Sequence, residues 1–152
     1  MKLTSQRGAQ IVEFALVLPF LLLILFLIID FGFLVYNKAV ITNASREAAR
    51  AGSVVTATPW SVTGVAAVAC NYTQNSLIKT NSGTHTTTCS GTADPVISVS
   101  NPNGNVPPIF NDPITVQITY AYSGFLLNKT FTWMSGSTAM PALTVATTMN
   151  HE

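Results

Sequence analysis

The sequence predicts an α+β fold. It should have one long amino-terminal helix that crosses a membrane and continues outside it, a second helix, and a roughly three-stranded antiparallel sheet. Three observations lead there. Phe14 to Ile29 is a run of sixteen residues without a charged or polar side chain. Between Asn37 and Gly52, Val40, Ala44 and Ala48 recur four apart, on one helical face. Beyond Pro95, short segments alternate apolar and polar residues with no helical pattern between them.

The 152 residues leave room for one modest domain besides a membrane helix. The net charge of +1 gives no footprint for nucleic acid. After Gly52 the charged residues are Lys79, Asp94, Asp112, Lys129 and Glu152, and Thr, Ser, Asn and Gly supply the polarity. Cys70 and Cys89 both lie past the apolar run. A bridge between them would close a loop of about 20 residues and stabilise by about 3 kcal/mol. It requires an oxidising compartment; two free buried thiols are the alternative.

Taken in order, residues 1–8 form a short basic tail, and the helix is predicted from residue 9 to 55. The stretch from Ile11 to Tyr36 is interrupted only by Glu13, Asp30 and Gly32. As a helix it would reach about 39 Å, more than the roughly 30 Å hydrocarbon core of a bilayer. Pro19 removes one backbone hydrogen bond inside it and can bend the axis. The run is longer than a secretory signal and ends on Asp30 rather than a small-residue cleavage site, so the helix should be retained. Lys2 and Arg7 before the span are matched by Lys38, Arg46 and Arg50 after it, so the charge count does not orient it. The cysteines and the short tail put the amino terminus in the cytoplasm and the large domain outside.

Thr58-Pro59-Trp60 breaks the helical pattern. Val62, Val65, Ala66, Ala69 and Cys70 then predict a second helix within residues 61–78. Residues 79–94 read as a loop, 95–100 as a short strand, and 101–113, with four prolines, as turns. Residues 114–122 are the clearest strand, with Ile114, Val116, Ile118, Tyr120 and Tyr122 on one face. An apolar patch at 125–134 should be a loop or short helix over the sheet. Leu143, Val145, Thr147 and Met149 form a last strand. Strands joined without helices make an antiparallel meander, one face of which should pack on the outer half of the long helix.

The block Arg7-Gly8-Ala9-Gln10-Ile11-Val12-Glu13-Phe14 resembles a prepilin processing site. Glu13 to Pro19, Asp30-Phe31-Gly32, and Thr42-Asn43-Ala44-Ser45-Arg46-Glu47-Ala48-Ala49-Arg50 resemble the TadE-like family of the tight-adherence (Flp pilus) machinery. The resemblance is strong over residues 7–52 and one of layout elsewhere. It implies a pilin-like protein, a pseudopilin or minor pilin, cut by a prepilin peptidase between Gly8 and Ala9. Residues 1–8 would be the leader, 9–36 the transmembrane helix, and 37–152 the extracytoplasmic pilin-like domain. It implies other pilin or pilin-like subunits, an inner-membrane assembly platform and an ATPase as partners. The protein would sit in the inner (cytoplasmic) membrane as a single-pass protein, or in a filament at the cell surface.

Gly8 lacks a side chain, so an extended backbone could approach a protease closely; a flexible residue before a helix is the alternative. Glu13 could pair with the amine that cleavage creates at Ala9, or with that of a neighbouring subunit, setting register between helices. Snorkelling to the interface is the simpler alternative. Asp30 reads as the outer membrane boundary, where it needs no partner; a polar contact between subunits is the other reading. Phe14, Phe20, Phe26, Phe31 and Phe33 read as lipid- or helix-packing residues. His85 and His151 do not stand at metal-ligand spacing with the cysteines, and no Gly-x-Ser-x-Gly elbow or phosphate loop occurs. No enzyme, cofactor or metal is therefore expected.

Overall fold

A computed structural model of the chain describes residues 5–54, 60–74, 76–78, 95–122, 124, 133, 136 and 142–152. Helix α1 spans Ser5–Ser53 and α2 spans Val62–Gln74. Strand β1 is Val96–Ser100, β2 is Pro113–Tyr120 and β3 is Leu143–Asn150. The sheet has the order β1-β2-β3 with both pairs antiparallel. The expected α+β layout and meander are present.

Helix α1 has 49 residues, about 73 Å at the α-helical rise. It runs on through Pro19 and begins at Ser5, four residues before the predicted start. Helix α2 ends at Gln74 rather than near 78, because the Thr73 carbonyl accepts from the amides of Ser76 and Leu77 and closes the last turn. The Ser61 hydroxyl caps its start by accepting from the Gly64 amide at 3.0 Å. The predicted loop at 79–94 lies outside the described residues. Of the 125–134 patch, Trp133 and no other residue is described, and it is exposed rather than laid over the sheet.

The core lies between the carboxyl-terminal half of α1, helix α2 and one face of the sheet. From α1 come Asn37, Val40, Ile41, Ala44, Ser45, Ala48 and Ala49, all buried and spaced three or four apart. From β2 come Ile114, Val116, Ile118 and Tyr120, alternating with the more exposed Thr115, Gln117 and Thr119. Leu143, Val145 and Met149 of β3 pack against the same cluster. The alanines leave room for the backbones to come close. In that gap the hydroxyls of Ser45 and Thr147 hydrogen-bond at 2.6 Å. On the outer face the hydroxyls of Thr115 and Thr148 pair across strands at 2.8 Å.

Candidate assembly and membrane interface

The sequence-predicted processing and assembly residues all lie at the amino-terminal end of α1. Gly8 is exposed and helical, and a Cβ built there would meet nothing within 4 Å. The helix therefore includes the proposed cleavage point, where the helix was expected to start only at Ala9. Ala9 follows in the helix, its side chain outside the described residues. Glu13, one turn on, is exposed and makes no hydrogen bond or ion pair with a described residue. Phe14 beside it is 63% exposed.

From Gln10, α1 is long and apolar enough to cross a membrane, with a mean hydropathy of 3.0 in its most apolar window and none of that window buried. A helix apolar all round needs lipid or other helices about it. Ile11 to Ile29 would cover about 28 Å, close to the hydrocarbon thickness.

At Asp30 the surroundings change. Its side chain is 1% exposed. The Tyr122 hydroxyl donates to Asp30 Oδ1 at 2.6 Å and sits 3.2 Å from the Asp30 main-chain oxygen. Gly124 packs so closely that a Cβ there would lie 2.7 Å from both carboxylate oxygens. Asp30 thus has a partner within its own chain, which corrects the reading of a boundary residue that needs none. Burial, and next the bond to Asp30, holds the Tyr122 phenol well above its ordinary range, so the hydroxyl stays a donor.

Two further clamps fix the domain to α1. Asn37 is fully buried; its Nδ2 donates to the Ile78 carbonyl at 2.9 Å and its Oδ1 accepts from the Ile78 amide at 2.8 Å. The Tyr120 hydroxyl donates to the same carbonyl at 3.2 Å. At the far end, carbonyls that a helix terminus leaves open are taken up by the rest of the fold. Trp60 Nε1 donates to the Gly52 carbonyl at 3.1 Å, His151 Nδ1 lies 3.2 Å from it, and the Glu152 amide donates to the Ser53 carbonyl at 2.8 Å. Gly52 fits closely there, since a Cβ would come within 3.2 Å of Val65 and 3.3 Å of Ile114 and those side chains would have to give.

Cys70 is buried on α2, with Gln74 Nε2 at 3.0 Å from its sulfur; Cys89 lies outside the described residues. No group of three or more His, Cys, Asp or Glu that could hold a metal occurs among the described residues.

Residues 8–50 match the family model described as TadE-like protein. Over this segment the chain is TadE-like. The TadE-like resemblance read from Glu13–Pro19, Asp30–Gly32 and Thr42–Arg50 is borne out over that segment. Comparison with curated proteins and with solved structures gives no match. The TadE-like family is a structural one associated with the tight-adherence pilus, which ties the segment to a membrane and to pilus subunits. The matched segment covers the apolar span and the helical half that takes the sheet, and stops before Gly52. Asp30, Asn37, Ala44 and Ala48 fall within it, whereas Tyr122, Ile78 and Trp60 fall outside. Sequence reasoning missed the roles of Asn37 and Tyr122. Asn37 shares the three-and-four spacing of Val40, Ile41 and Ala44, and a polar residue in a core series signals a specific hydrogen bond.

Proposed function

We propose that this chain is a pilin-like structural subunit, a pseudopilin or minor pilin, of a tight-adherence pilus system. The observation that carries it is the exposed apolar helix of the TadE-like segment, joined to a domain that, among the described residues, buries side chains of the same helix from Asp30 onward. Such a helix is stable in lipid and equally stable among like helices, so the subunit can pass from bilayer to polymer without unfolding its outer domain. A prepilin peptidase would cut between Gly8 and Ala9, and Glu13 with Phe14 would set the register between neighbouring helices. The new amine at Ala9 lies one turn from Glu13, and a buried pair of that kind specifies register more than it stabilises. The assembly platform and its ATPase would extract the subunit from the inner membrane, leaving residues 37–152 on the extracytoplasmic side. A Cys70–Cys89 bridge fits that compartment; Cys70 is buried and no described cysteine is free.

Amino-terminal sequencing of the protein purified from its native membranes tests processing. The expected first residue is Ala9; chains beginning at Met1 in assembled material would refute it. Glu13→Ala should leave cleavage intact and abolish incorporation into assemblies, and normal incorporation would rule out the register role.

A second reading has an observation of its own. The helix continues through Gly8 to Ser5, and a helical bond is a poor protease substrate until it unwinds. An uncut, permanently anchored envelope protein with an adhesive or ligand-binding outer domain would keep that helix. A pseudopilin of another secretion or uptake apparatus would share the cut but not the pilus.

A further inference from the structure

The connection between β2 and β3 opens toward the membrane. Strand β2 starts beside the far end of α1. Pro113 pairs with Asn150, and just beyond Asn150 the Glu152 amide donates to the Ser53 carbonyl at 2.8 Å. The strand ends near the bilayer boundary of the same helix. Tyr120 pairs with Leu143, and the Tyr122 hydroxyl reaches Asp30. Gly124 is buried against the Asp30 carboxylate. The chain therefore leaves the sheet at Tyr120, and re-enters it at Leu143, on the side where α1 meets lipid. The β1–β2 connection lies at the opposite end, where the Asn111 amide donates to the His151 carbonyl at 2.7 Å.

The composition of the membrane-side connection suits that place. Of the ten residues 125–134, six are large and apolar and Lys129 carries the one charge. Among the described residues Trp133 is the most open large apolar side chain, 88% exposed. An indole left in water forgoes the gain from burying its large apolar area. Tryptophan collects at membrane–water interfaces, where its ring meets the acyl boundary and its N–H stays among hydrated headgroups. Phe31, the residue of α1 next to Asp30, is exposed at the same level.

We propose that Trp133 docks on the bilayer that α1 crosses, at the headgroup level of the leaflet on the domain's side. The occupant is lipid because Tyr122 and Gly124 hold the start of the connection at Asp30, where the helix leaves the hydrocarbon. A domain carried on one helix is free to tilt against the bilayer, and a second contact limits that tilt. This contact rests on α1 spanning a bilayer and is independent of the pilin-like role.

The test is tryptophan fluorescence of the full chain reconstituted at low density in phosphatidylcholine vesicles. Trp60 and Trp133 are the two tryptophans. Trp60 donates to the Gly52 carbonyl, about 33 Å along α1 from Asp30 and out of reach of lipid. Lipids with a doxyl group close to the headgroup quench on contact. They should remove most of the emission that Trp133→Phe removes, and leave the Trp133→Phe protein, which reports Trp60, nearly unquenched. Iodide on both sides of the vesicles should quench the Trp133 share less than it quenches free tryptophan amide. Flotation of both proteins with the vesicles checks the spanning helix separately, and failure to float would remove that helix and the contact with it. If both float, yet doxyl lipids spare Trp133 and iodide reaches it as freely as the amide, the contact is refuted while the spanning helix stands. Shielding from iodide without quenching by lipid would mean that protein covers Trp133, and would overturn the proposal as well.

Discussion

From Ile11 to Ile29, apart from Leu18 and Leu27, the large apolar residues of α1 stand 41 to 77% exposed. From Asp30 to Ser53 the same helix buries Asp30, Asn37, Val40, Ile41, Ala44, Ser45, Ala48, Ala49, Gly52 and Ser53. The first half is apolar on every side apart from Glu13, and none of its residues is buried. The second half is apolar along one stripe, small where the sheet approaches, and polar at chosen buried points. One continuous helix thus serves two surroundings, and the change falls at a carboxylate that the outer domain covers. The lesson is that hydropathy marks where the helix can meet lipid, while small and polar residues at helical spacing mark where it meets protein.

Substitutions of similar size should separate the two halves. Ile41→Ala, at a fully buried site, should cost the outer domain about 3 kcal/mol. Leu22→Ala, at an exposed site in the apolar half, should leave the melting of that domain unchanged. Equal effects in a thermal melt of the detergent-solubilised protein would erase the distinction.

The clamps come next. Tyr122→Phe removes the hydroxyl from Asp30, and Asn37→Ala removes both bonds to Ile78; each should cost about 2 kcal/mol in denaturant unfolding. A result near zero for Tyr122→Phe would mean that the domain is not pinned at the boundary. Gly52→Ala should cost about 1 kcal/mol, since Val65 and Ile114 must each give a few tenths of an ångström.

The smallest effect is one of pH. Asp112 is held well below the ordinary carboxylate range, first by the side chains of Asn103 and Asn105 and then by the Ile109 amide. A carboxylate with a lowered folded pKa stabilises in full above its unfolded value of about 3.9, and that stability fades as pH falls toward the folded value. The melting temperature should therefore show no pH dependence from Asp112 between about pH 5 and 8, where its contribution is complete, and decline below about pH 4. Asp112→Asn should flatten that acid decline.

The elements of the fold were legible because their signals are local. The apolar run, the Val40-Ala44-Ala48 series and the alternation from Ile114 to Tyr120 each sit within a few turns of chain. The Gly8–Phe14 block was legible as a motif. The clamps were not, because their partners are far apart in sequence: 41 residues separate Asn37 from Ile78, and 92 separate Asp30 from Tyr122. Asp30 by itself carries the same information as any polar residue ending a span. Tyr122 reads as one more step of a strand, although β2 ends at Tyr120 and frees Tyr122 to reach the helix.

The central claim is that α1 changes from lipid to domain at Asp30. Thiol labelling of Leu22→Cys and Val35→Cys in opened native membranes tests it most directly, read against the labelling of the unaltered chain. Both positions are exposed in the fold, Leu22 at 41% and Val35 at 50%, so bilayer alone distinguishes them. A membrane-impermeant maleimide should label Val35→Cys and leave Leu22→Cys untouched until detergent is added. Protection of both, or labelling of both, would contradict a boundary at Asp30.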